Sequence, residues 1–326
     1  MKRRQASYAI AAFALALLRA PGLSAQSSAR KTVIGLLDAG ERTEWWDAFR
    51  QQLREFGYVE GRNVSFEERY AKGRLEALPA LAKELVQLKV AVIVTSGGAA
   101  AVAAQRASRK IPIVMASGSD QVSLGLAASL ARPGGNVTGV ASLTSGLMAK
   151  RFELLREAVP KSSRLGAIWH ADNVPSVSSV RELEGAAAAS RVAFRSFGVR
   201  STEELTDAFS AMSRERTEAL IVVNSPFIYE VRTRIIELAL KHKMPAMYGA
   251  AEYVEAGGLL SYAPSYPELF RHAATYVDKI LKGANPGDLP IEQPTRVELQ
   301  INLKTAKALG LAIPHPLLLR AAKVIE

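Results

Sequence analysis

Short apolar runs alternate with longer stretches of helical period along most of the chain. Val33–Leu37 opens the series, and Trp45, Phe49 and Leu53 then recur every four residues, which places them on one face of a helix. Val90–Thr95 is an uninterrupted run of apolar and β-branched residues, as in a strand that is buried on both faces. This alternation is typical of βαβ units and predicts an α/β fold with mostly parallel sheets.

The predicted strands form two series of four. The first series starts at Val33, Val64, Val90 and Ile111, and the second covers Leu165–His170, Ala193–Val199, Ala219–Val223 and Ala246–Tyr248. Two series of strand–helix units indicate two Rossmann-like lobes rather than one long sheet. A strand at Val297–Ile301 and a helix at Lys304–Leu309 are predicted near the end of the chain.

The segment between the two series is rich in glycine, at Arg132–Gly139 and Ser142–Gly146. Glycine permits backbone angles that other residues resist, so we interpret this segment as a hinge, with a plain surface turn as the alternative. One lobe is predicted to comprise residues 30–143 with about 262–284. The other is predicted to comprise residues 144–261 with about 285–326.

The first 25 residues have the pattern of a secretory signal peptide. Basic residues at positions 2–4 precede an apolar run from Tyr8 to Leu18, and small residues follow at Ser24 and Ala25. The run is well short of the roughly 20 residues that cross a bilayer, which favours a cleaved signal over a membrane anchor. A twin-arginine signal is the minor alternative. We expect cleavage near Ala25 and export to the periplasm.

Composition narrows the class of the exported chain. The 326 residues are 48% hydrophobic and 22% charged, which is the range of globular proteins with a substantial core. The absence of cysteine excludes disulfides, cysteine-ligated metals and thiol nucleophiles. Loss of residues 1–25 removes four basic residues and no acid, which lowers the formal net charge from +11 to +7. The remaining cations form no basic run, so we expect no nucleic-acid partner.

No common catalytic motif occurs in the sequence. Gly-x-Ser-x-Gly, Gly-x-Gly-x-x-Gly and the P-loop pattern are all missing. The four histidines, His170, His242, His272 and His315, lie far apart and none has a partner four residues away. We therefore expect no enzyme, no cofactor, no metal and no catalytic residue.

Small, hydroxyl-rich loops follow two of the predicted strands in the first series. They are Thr95–Gly98 and Ser117–Asp120, and a helix is predicted after each. Loops at the carboxyl ends of parallel strands face the ligand crevice, and helix N-termini favour anions. Helix capping is the alternative role. The candidate ligand-binding residues here are Thr95, Ser96, Gly97, Ser117, Gly118 and Asp120.

The corresponding loops of the second series, Asn224–Glu230 and Tyr248–Glu252, combine aromatic residues with carboxylates. Such loops suit a zwitterion with a bulky side chain, although Phe227 also fits a core position and Glu230 a first-turn helix acid. By periodicity, one of Trp45 and Trp46 faces the core and the other is free for the cleft. The candidates here are Ser225, Phe227, Tyr229, Tyr248 and Glu252, together with Trp46.

Six longer segments resemble the ABC-transporter substrate-binding proteins of the tryptophan/tyrosine-type group. They are Ile113–Asp120, Gly125–Gly139, Ala256–Tyr262, Tyr276–Gly283, Leu289–Pro294 and Ile301–Leu311. The resemblance covers nearly the whole mature chain. It implies a type I periplasmic binding fold, with two lobes joined by three crossovers, and delivery of a solute to an inner-membrane ABC permease. Members that bind aromatic amino acids tend to have His-Pro-Ala-Leu-Asp where this chain has Glu41–Trp46.

Together these observations predict a monomeric periplasmic receptor that closes two lobes on a small carboxylate-bearing ligand, an amino acid or an aromatic acid. An exported enzyme on the same scaffold is the alternative. A ligand-sensing repressor core is a third class, but a DNA-binding helix-turn-helix would have to precede the first strand, where the signal pattern lies.

Overall fold

Two β-sheets organise the residues that the computed structural model describes, which are 31–118, 121–142 and 146–326. The first sheet contains β1 (Thr32–Asp38), β2 (Val64–Tyr70), β3 (Val92–Ser96), β4 (Ile113–Ser117) and β5 (Val137–Gly139). The second contains β6 (Arg164–His170), β7 (Ala193–Val199), β8 (Ala219–Val222), β9 (Ala246–Tyr248), β10 (Leu260–Ala263), β11 (Glu298–Asn302) and β12 (Lys323–Ile325). The expected signal peptide lies outside the described residues.

The strand order is β2-β1-β3-β4-β5 in the first sheet and β12-β11-β10-β9-β8-β6-β7 in the second. Neighbouring strands are parallel, except for the antiparallel pair β10 and β11. The predicted α/β class with mostly parallel sheets is therefore confirmed. In an arrangement of this kind the carboxyl ends of the strands share one edge of each sheet.

Helices cover both faces of each sheet. The early helices are α1 (Trp45–Glu55), α2 (Leu78–Gln87), α3 (Gly98–Ala107), α4 (Leu147–Ala158), α5 (Val174–Ala189) and α6 (Thr202–Arg214). The later ones are α7 (Pro226–Glu230), α8 (Arg232–Lys241), α9 (Ala251–Glu255), α10 (Tyr266–Leu281), α11 (Leu303–Ala308) and α12 (His315–Arg320). We call each sheet with its packed helices a lobe.

In the first lobe, α1 and α10 pack on one face of the sheet and α2 and α3 on the other. The α1 sequence favours this packing because Trp46, Phe49 and Leu53 lie on one helical face and are fully buried. The Trp46 ring meets the edge of Phe270 from α10 at a centroid distance of 4.9 Å. Thus a helix from late in the chain completes the core of the first lobe.

The second lobe has the same layering. Buried side chains of α6, α8 and α9 cover one face of its sheet, and those of α4, α5, α11 and α12 cover the other. The end of this lobe closes on β11 and β12, which extend the sheet beyond β10. Because β11 runs antiparallel to β10, the chain enters this sheet edge from the direction of the other lobe.

The chain passes between the lobes three times. The passages follow β5, β10 and the short 3-10 helix Pro286–Asp288. The first and third run side by side, since the Ala141 N–H donates to the Glu292 oxygen at 2.8 Å and the Glu292 N–H donates to the Gly139 oxygen at 3.0 Å. We keep the predicted lobe limits near residues 143, 261 and 284 as a proposal, which the return of α10 to the first sheet supports.

One predicted helix is wrong. The segment after β4 was expected to be helical, but the described residues 121–136 form turns. The Gln121 carbonyl accepts hydrogen bonds from the N–H groups of Leu126 and Ala127, which closes a loop instead of a helix. Gly125 has a φ of +69° and Gly134 one of +71°, and Pro133 lacks an N–H, so the chain here is repeatedly diverted from helical geometry.

We predict that Gly139→Ala destabilises the protein strongly. A Cβ at this position would lie 2.3 Å from the Met115 oxygen and 2.5 Å from the Met115 nitrogen, and the φ of +122° is itself unfavourable for alanine. The clash is with backbone, so we expect a loss of about 2–5 kcal/mol in the free energy of unfolding.

Gly185→Ala is the matched control. Gly185 lies in α5 and a Cβ there meets nothing within 4 Å, so we expect a gain of up to about 1 kcal/mol. Urea unfolding of both variants measures the difference. Equal effects of the two substitutions would contradict a destabilising clash between a side chain at position 139 and the Met115 backbone.

Candidate functional site

A cavity of about 280 Å³ lies between the two lobes. Its first-lobe wall is built by the loops after β1, β3 and β4, at the carboxyl ends of these strands. Its second-lobe wall comes from α4, from the start of α5 and from the segment between β8 and α8. A crevice at the carboxyl ends of parallel strands is where open α/β sheets bind ligands.

Asp38, the last residue of β1, is a buried carboxylate in the cavity wall. Its Oδ1 accepts a hydrogen bond from the Gly40 N–H at 2.9 Å, and its Oδ2 accepts one from Trp46 Nε1 at 2.8 Å. Burial raises the pKa of Asp38 from 3.8 to about 6, although the hydrogen bonds from Gly40, Trp46 and Ser96 act in the opposite direction. The protein thus satisfies both oxygens of this carboxylate.

Arg151 of α4 is a buried cation in the same wall, with 4% of its surface exposed. Its Nε donates to the Tyr262 carbonyl at 2.8 Å, and Nη2 lies 3.5 Å from the Gly249 carbonyl. No described carboxylate forms an ion pair with it, and burial lowers the pKa of Arg151. A buried guanidinium with this much unused donor capacity matches a carboxylate.

Glu230, the last residue of α7, adds a second carboxylate to the cavity. Its Oε1 is shielded from solvent and has no hydrogen-bond partner among the described residues. Burial, followed by the charge of Glu41, raises the pKa of Glu230 from 4.5 to about 7. This carboxylate can therefore pair with a cation or accept a hydrogen bond from a donor.

The lobes contact each other across the cleft through Trp45. The Trp45 ring stacks on Tyr266 of α10 at 4.4 Å and lies 4.5 Å from the ring of Tyr229 in the second lobe. Trp45 Nε1 donates to Glu252 Oε1 at 2.6 Å, and the Tyr229 hydroxyl donates to Glu44 Oε1 at 3.1 Å. Two consecutive first-lobe residues therefore bond to two second-lobe side chains.

Main-chain amides and hydroxyls line the cavity beside α3. The ten-residue helix begins at Gly98, and its N-cap Gly97 has a φ of +88° and offers no side chain to the first turn. Ser96 and Ser117 stand at the ends of β3 and β4 on the same wall. The uncapped amides and the positive end of the helix dipole favour an anion here.

Half of the residues predicted from the sequence lie in the cavity wall. They are Ser96, Gly97, Ser117, Gly118, Ser225 and Tyr229. Asp120 lies outside the described residues. Direct ligand contact by any of them stays a prediction.

Five predicted residues lie outside the wall for reasons of packing. Trp46 faces the core of the first lobe, and it is Trp45 that faces the cleft. Thr95 alternates with Ser96 along β3, so its side chain points into the lobe and is fully buried. Phe227 packs against His170 at 4.8 Å.

The other two belong to the second-lobe core and to the lobe contact. Tyr248 stacks on Tyr253 at 4.7 Å and is 1% exposed. Glu252 accepts the hydrogen bond from Trp45, and burial raises its pKa. It acts between the lobes rather than in the cavity wall.

Sequence reasoning missed Asp38 and Arg151. Asp38 could have been found because it ends a strand, as Ser96 and Ser117 do. Arg151 could have been found because it takes an apolar position of an amphipathic helix, between the buried residues Met148 and Phe152. A charged residue at such a position is either buried at a cost or used by a ligand.

Within the described residues, no group of three or more His, Cys, Asp or Glu side chains is arranged to hold a metal ion. In the same part of the chain, no helix combines the length and the apolar character that a bilayer crossing needs.

Known proteins are similar to this chain in sequence and in architecture. The profile of the ABC transporter substrate binding protein family matches residues 32–325. A tyrosine-binding protein of Clostridioides difficile (strain R20291) is 27% identical over 263 residues, which are 81% of this chain and 75% of that protein.

Two solved structures cover 90% of this chain and 100% of their own. One is an ABC domain from Streptococcus pneumonia in complex with L-Trp, with 25% identity and a TM-score of 0.83. The other is a conserved domain protein from Vibrio cholerae O1 biovar eltor, with 27% identity and a TM-score of 0.84.

We predict that Asp38→Asn changes the pH dependence of stability. The folded-state pKa of Asp38 is raised, so its contribution to the free energy of unfolding is complete below about pH 4 and is lost as the pH rises through 6. The difference in the free energy of unfolding between wild type and variant should decrease by about 2–3 kcal/mol between pH 4 and pH 7.

Urea unfolding of the two proteins over this pH range measures the effect. Asparagine can accept from only one of the two donors, so an overall loss of stability is expected and is not the readout. A difference in stability that stays constant with pH would contradict the prediction.

Proposed function

The chain belongs to the family of ABC transporter substrate-binding proteins, and from this membership we propose that it is an exported receptor that delivers a small carboxylate-bearing solute to an inner-membrane permease. The fold is the type I periplasmic binding fold predicted from the sequence, as in its structural neighbours. Family membership supports a solute-binding role over an enzymatic one, because the relatives are substrate-binding proteins.

The proposal of a carboxylate-bearing ligand rests on Arg151, which is buried without an ion-pair partner in the wall of the inter-lobe cavity. Removing an ion from water costs several kcal/mol unless a partner compensates it. A ligand carboxylate would supply the partner, and the uncapped amides of α3 would favour the same charge from the first lobe.

An amino acid or an aromatic acid is the ligand class that the site supports best. The tyrosine-binding relative and the L-Trp complex support an amino acid. In this chain the cavity also carries the carboxylate of Glu230, which has an oxygen without a hydrogen-bond partner among the described residues and suits an ammonium group. We propose that the protein works as a monomer and that the permease recognises the form with its lobes closed on the ligand.

We predict that carboxylate-bearing amino acids or aromatic acids stabilise the protein. A ligand that binds only the native state adds about 2.7 kcal/mol at a hundredfold excess over Kd. A thermal-shift panel of amino acids, aromatic acids, sugars and polyamines is the measurement. Stabilisation by sugars or polyamines alone would contradict the proposal.

We predict that Arg151→Met weakens binding of the carboxylate ligand. Loss of a hydrogen-bonded charge pair should cost roughly 1.5–3 kcal/mol of binding, or about ten- to a hundredfold in Kd. The ligand-free variant should be no less stable, because an uncompensated buried cation is removed. Arg156→Met, on the same helix but outside the cavity, is the control and should bind as the wild type does. Equal affinities of the Arg151 and Arg156 variants would refute the anchoring role.

We predict that residues 1–25 are removed during export. The basic start, the short apolar run and the small residues before the proposed cleavage point support this. N-terminal sequencing of the protein released by osmotic shock of the native host should give a chain that begins near Gln26. A chain that begins at Met1 and sediments with membranes would disprove it.

A further inference from the structure

The two carboxylates in the cavity wall differ in how the protein uses them. Both oxygens of Asp38 accept hydrogen bonds from the protein, one from Gly40 and one from Trp46. These bonds tie the end of β1 to the following loop and to α1. Asp38 therefore has a structural role in the first lobe and little capacity left for a ligand.

Glu230 has that capacity. Its Oε1 has no partner among the described residues, although the atom is shielded from solvent. The carboxylate approaches first-lobe backbone that carries no side chains, since a Cβ at Gly40 would lie 3.1 Å from Oε1 and one at Gly73 would lie 3.3 Å from Oε2. The carboxylate is thus partly buried beside first-lobe backbone and lines the cavity, so a ligand in the cavity can supply its partner.

The charged groups around Glu230 do not provide a cation that pairs with it. Asp38 and Glu41 add negative charge beside it, the charge of Lys72 acts in the opposite direction, and a hydrogen bond from the Glu41 main chain offsets part of the burial. Arg232 is the next residue but one, yet its guanidinium lies over the Tyr229 ring at 4.3 Å and its Nη1 donates to the Tyr229 carbonyl. A protonated amine would supply the missing positive charge.

We propose that Glu230 is the specificity-determining residue of the cavity and accepts hydrogen bonds from a protonated amine of the ligand. This rests on the proposed function, and it narrows the ligand class to amino acids over carboxylic acids of the same skeleton. Arg151 and Glu230 both belong to the second lobe, so this lobe binds both the carboxylate and the ammonium of the ligand. The first lobe adds hydroxyls and amides when it closes.

The test compares ligands that differ only in the amine. Isothermal titration calorimetry at pH 7.5 gives Kd for L-tyrosine against 3-(4-hydroxyphenyl)propanoate, for L-tryptophan against 3-(indol-3-yl)propanoate and for L-leucine against 4-methylpentanoate. The wild type should bind the amino acid of at least one pair more tightly than its partner. Glu230→Gln keeps the size of the side chain and removes its charge, so it should lower this preference about ten- to a hundredfold, mainly through weaker binding of the amino acid.

Glu237→Gln is the matched control. Glu237 lies in α8 outside the cavity wall and pairs with Arg234 on the surface, so the substitution removes the same charge away from the ligand. The preference for the amine should therefore survive in this variant. Thermal unfolding confirms that both variants fold.

The pH dependence gives a second readout. Below about pH 7 a protonated Glu230 no longer attracts an ammonium, so wild-type affinity for the amino acid should fall with decreasing pH. Asp38, Glu41 and Lys72 also face this group, and Asp38 titrates nearby, so the informative quantity is the change of slope in Glu230→Gln.

The outcomes separate the two proposals. If the pairs bind and Glu230→Gln weakens both members equally, the role of Glu230 in reading the amine is overturned while the carboxylate receptor stands. The same holds if the wild type does not discriminate within any pair. If no member of any pair binds the wild type, the carboxylate-receptor proposal fails and the role of Glu230 fails with it.

Discussion

The removal of ionised side chains from water is the constraint on which the cleft depends. Arg151 and Asp38 are buried where the lobes meet, Glu230 is partly buried with one shielded oxygen, and each must be compensated or neutralised. Asp38 is compensated by the first lobe itself, through two hydrogen bonds. The partners of Arg151 are two carbonyl oxygens and the Met148 sulfur, all uncharged, and Glu230 keeps one oxygen without a partner among the described residues. Under the proposed function, a ligand of complementary charge would supply the missing compensation and so favour the state with the lobes closed on it.

The fold divides this task between its lobes. Parallel strands bring several loop ends to one edge of each sheet, so short segments far apart in sequence reach the same cavity. The first lobe contributes hydroxyls and helix amides, and the second contributes the buried Arg151 and the partly buried Glu230. Packing α10 on the first sheet requires the chain to return from the second lobe, and the resulting paired crossings link the lobes through adjacent strands. Such a linkage is consistent with the hinge that the proposed function requires.

The sequence predicts the local elements well and the cleft only in part. The strand predicted to start at Val64 begins there, and Ala193–Val199 becomes a strand with these bounds, because their apolar residues identify them without reference to distant contacts. The short strands β5, β10 and β12 escape prediction because they lie outside the two regular series of strand–helix units, whereas the equally short β8 and β9 lie within the second series and are predicted. The choice between Trp45 and Trp46 depends on where α10 packs against α1, which is a long-range contact. The unpaired state of Glu230 likewise arises only when two lobes approach, so no local pattern could show it.

Trp45 gives the protein an optical signal of its own. The chain contains three tryptophans, and Trp46 and Trp169 lie within single lobes, whereas Trp45 is held between Tyr266 and Tyr229 with its indole N–H on a carboxylate of the opposite lobe. Separation of the lobes would break that bond and expose a ring that is now 5% accessible to water. Its emission should therefore shift to longer wavelength in the open form, so that opening and closing can be followed in real time by fluorescence without an attached dye.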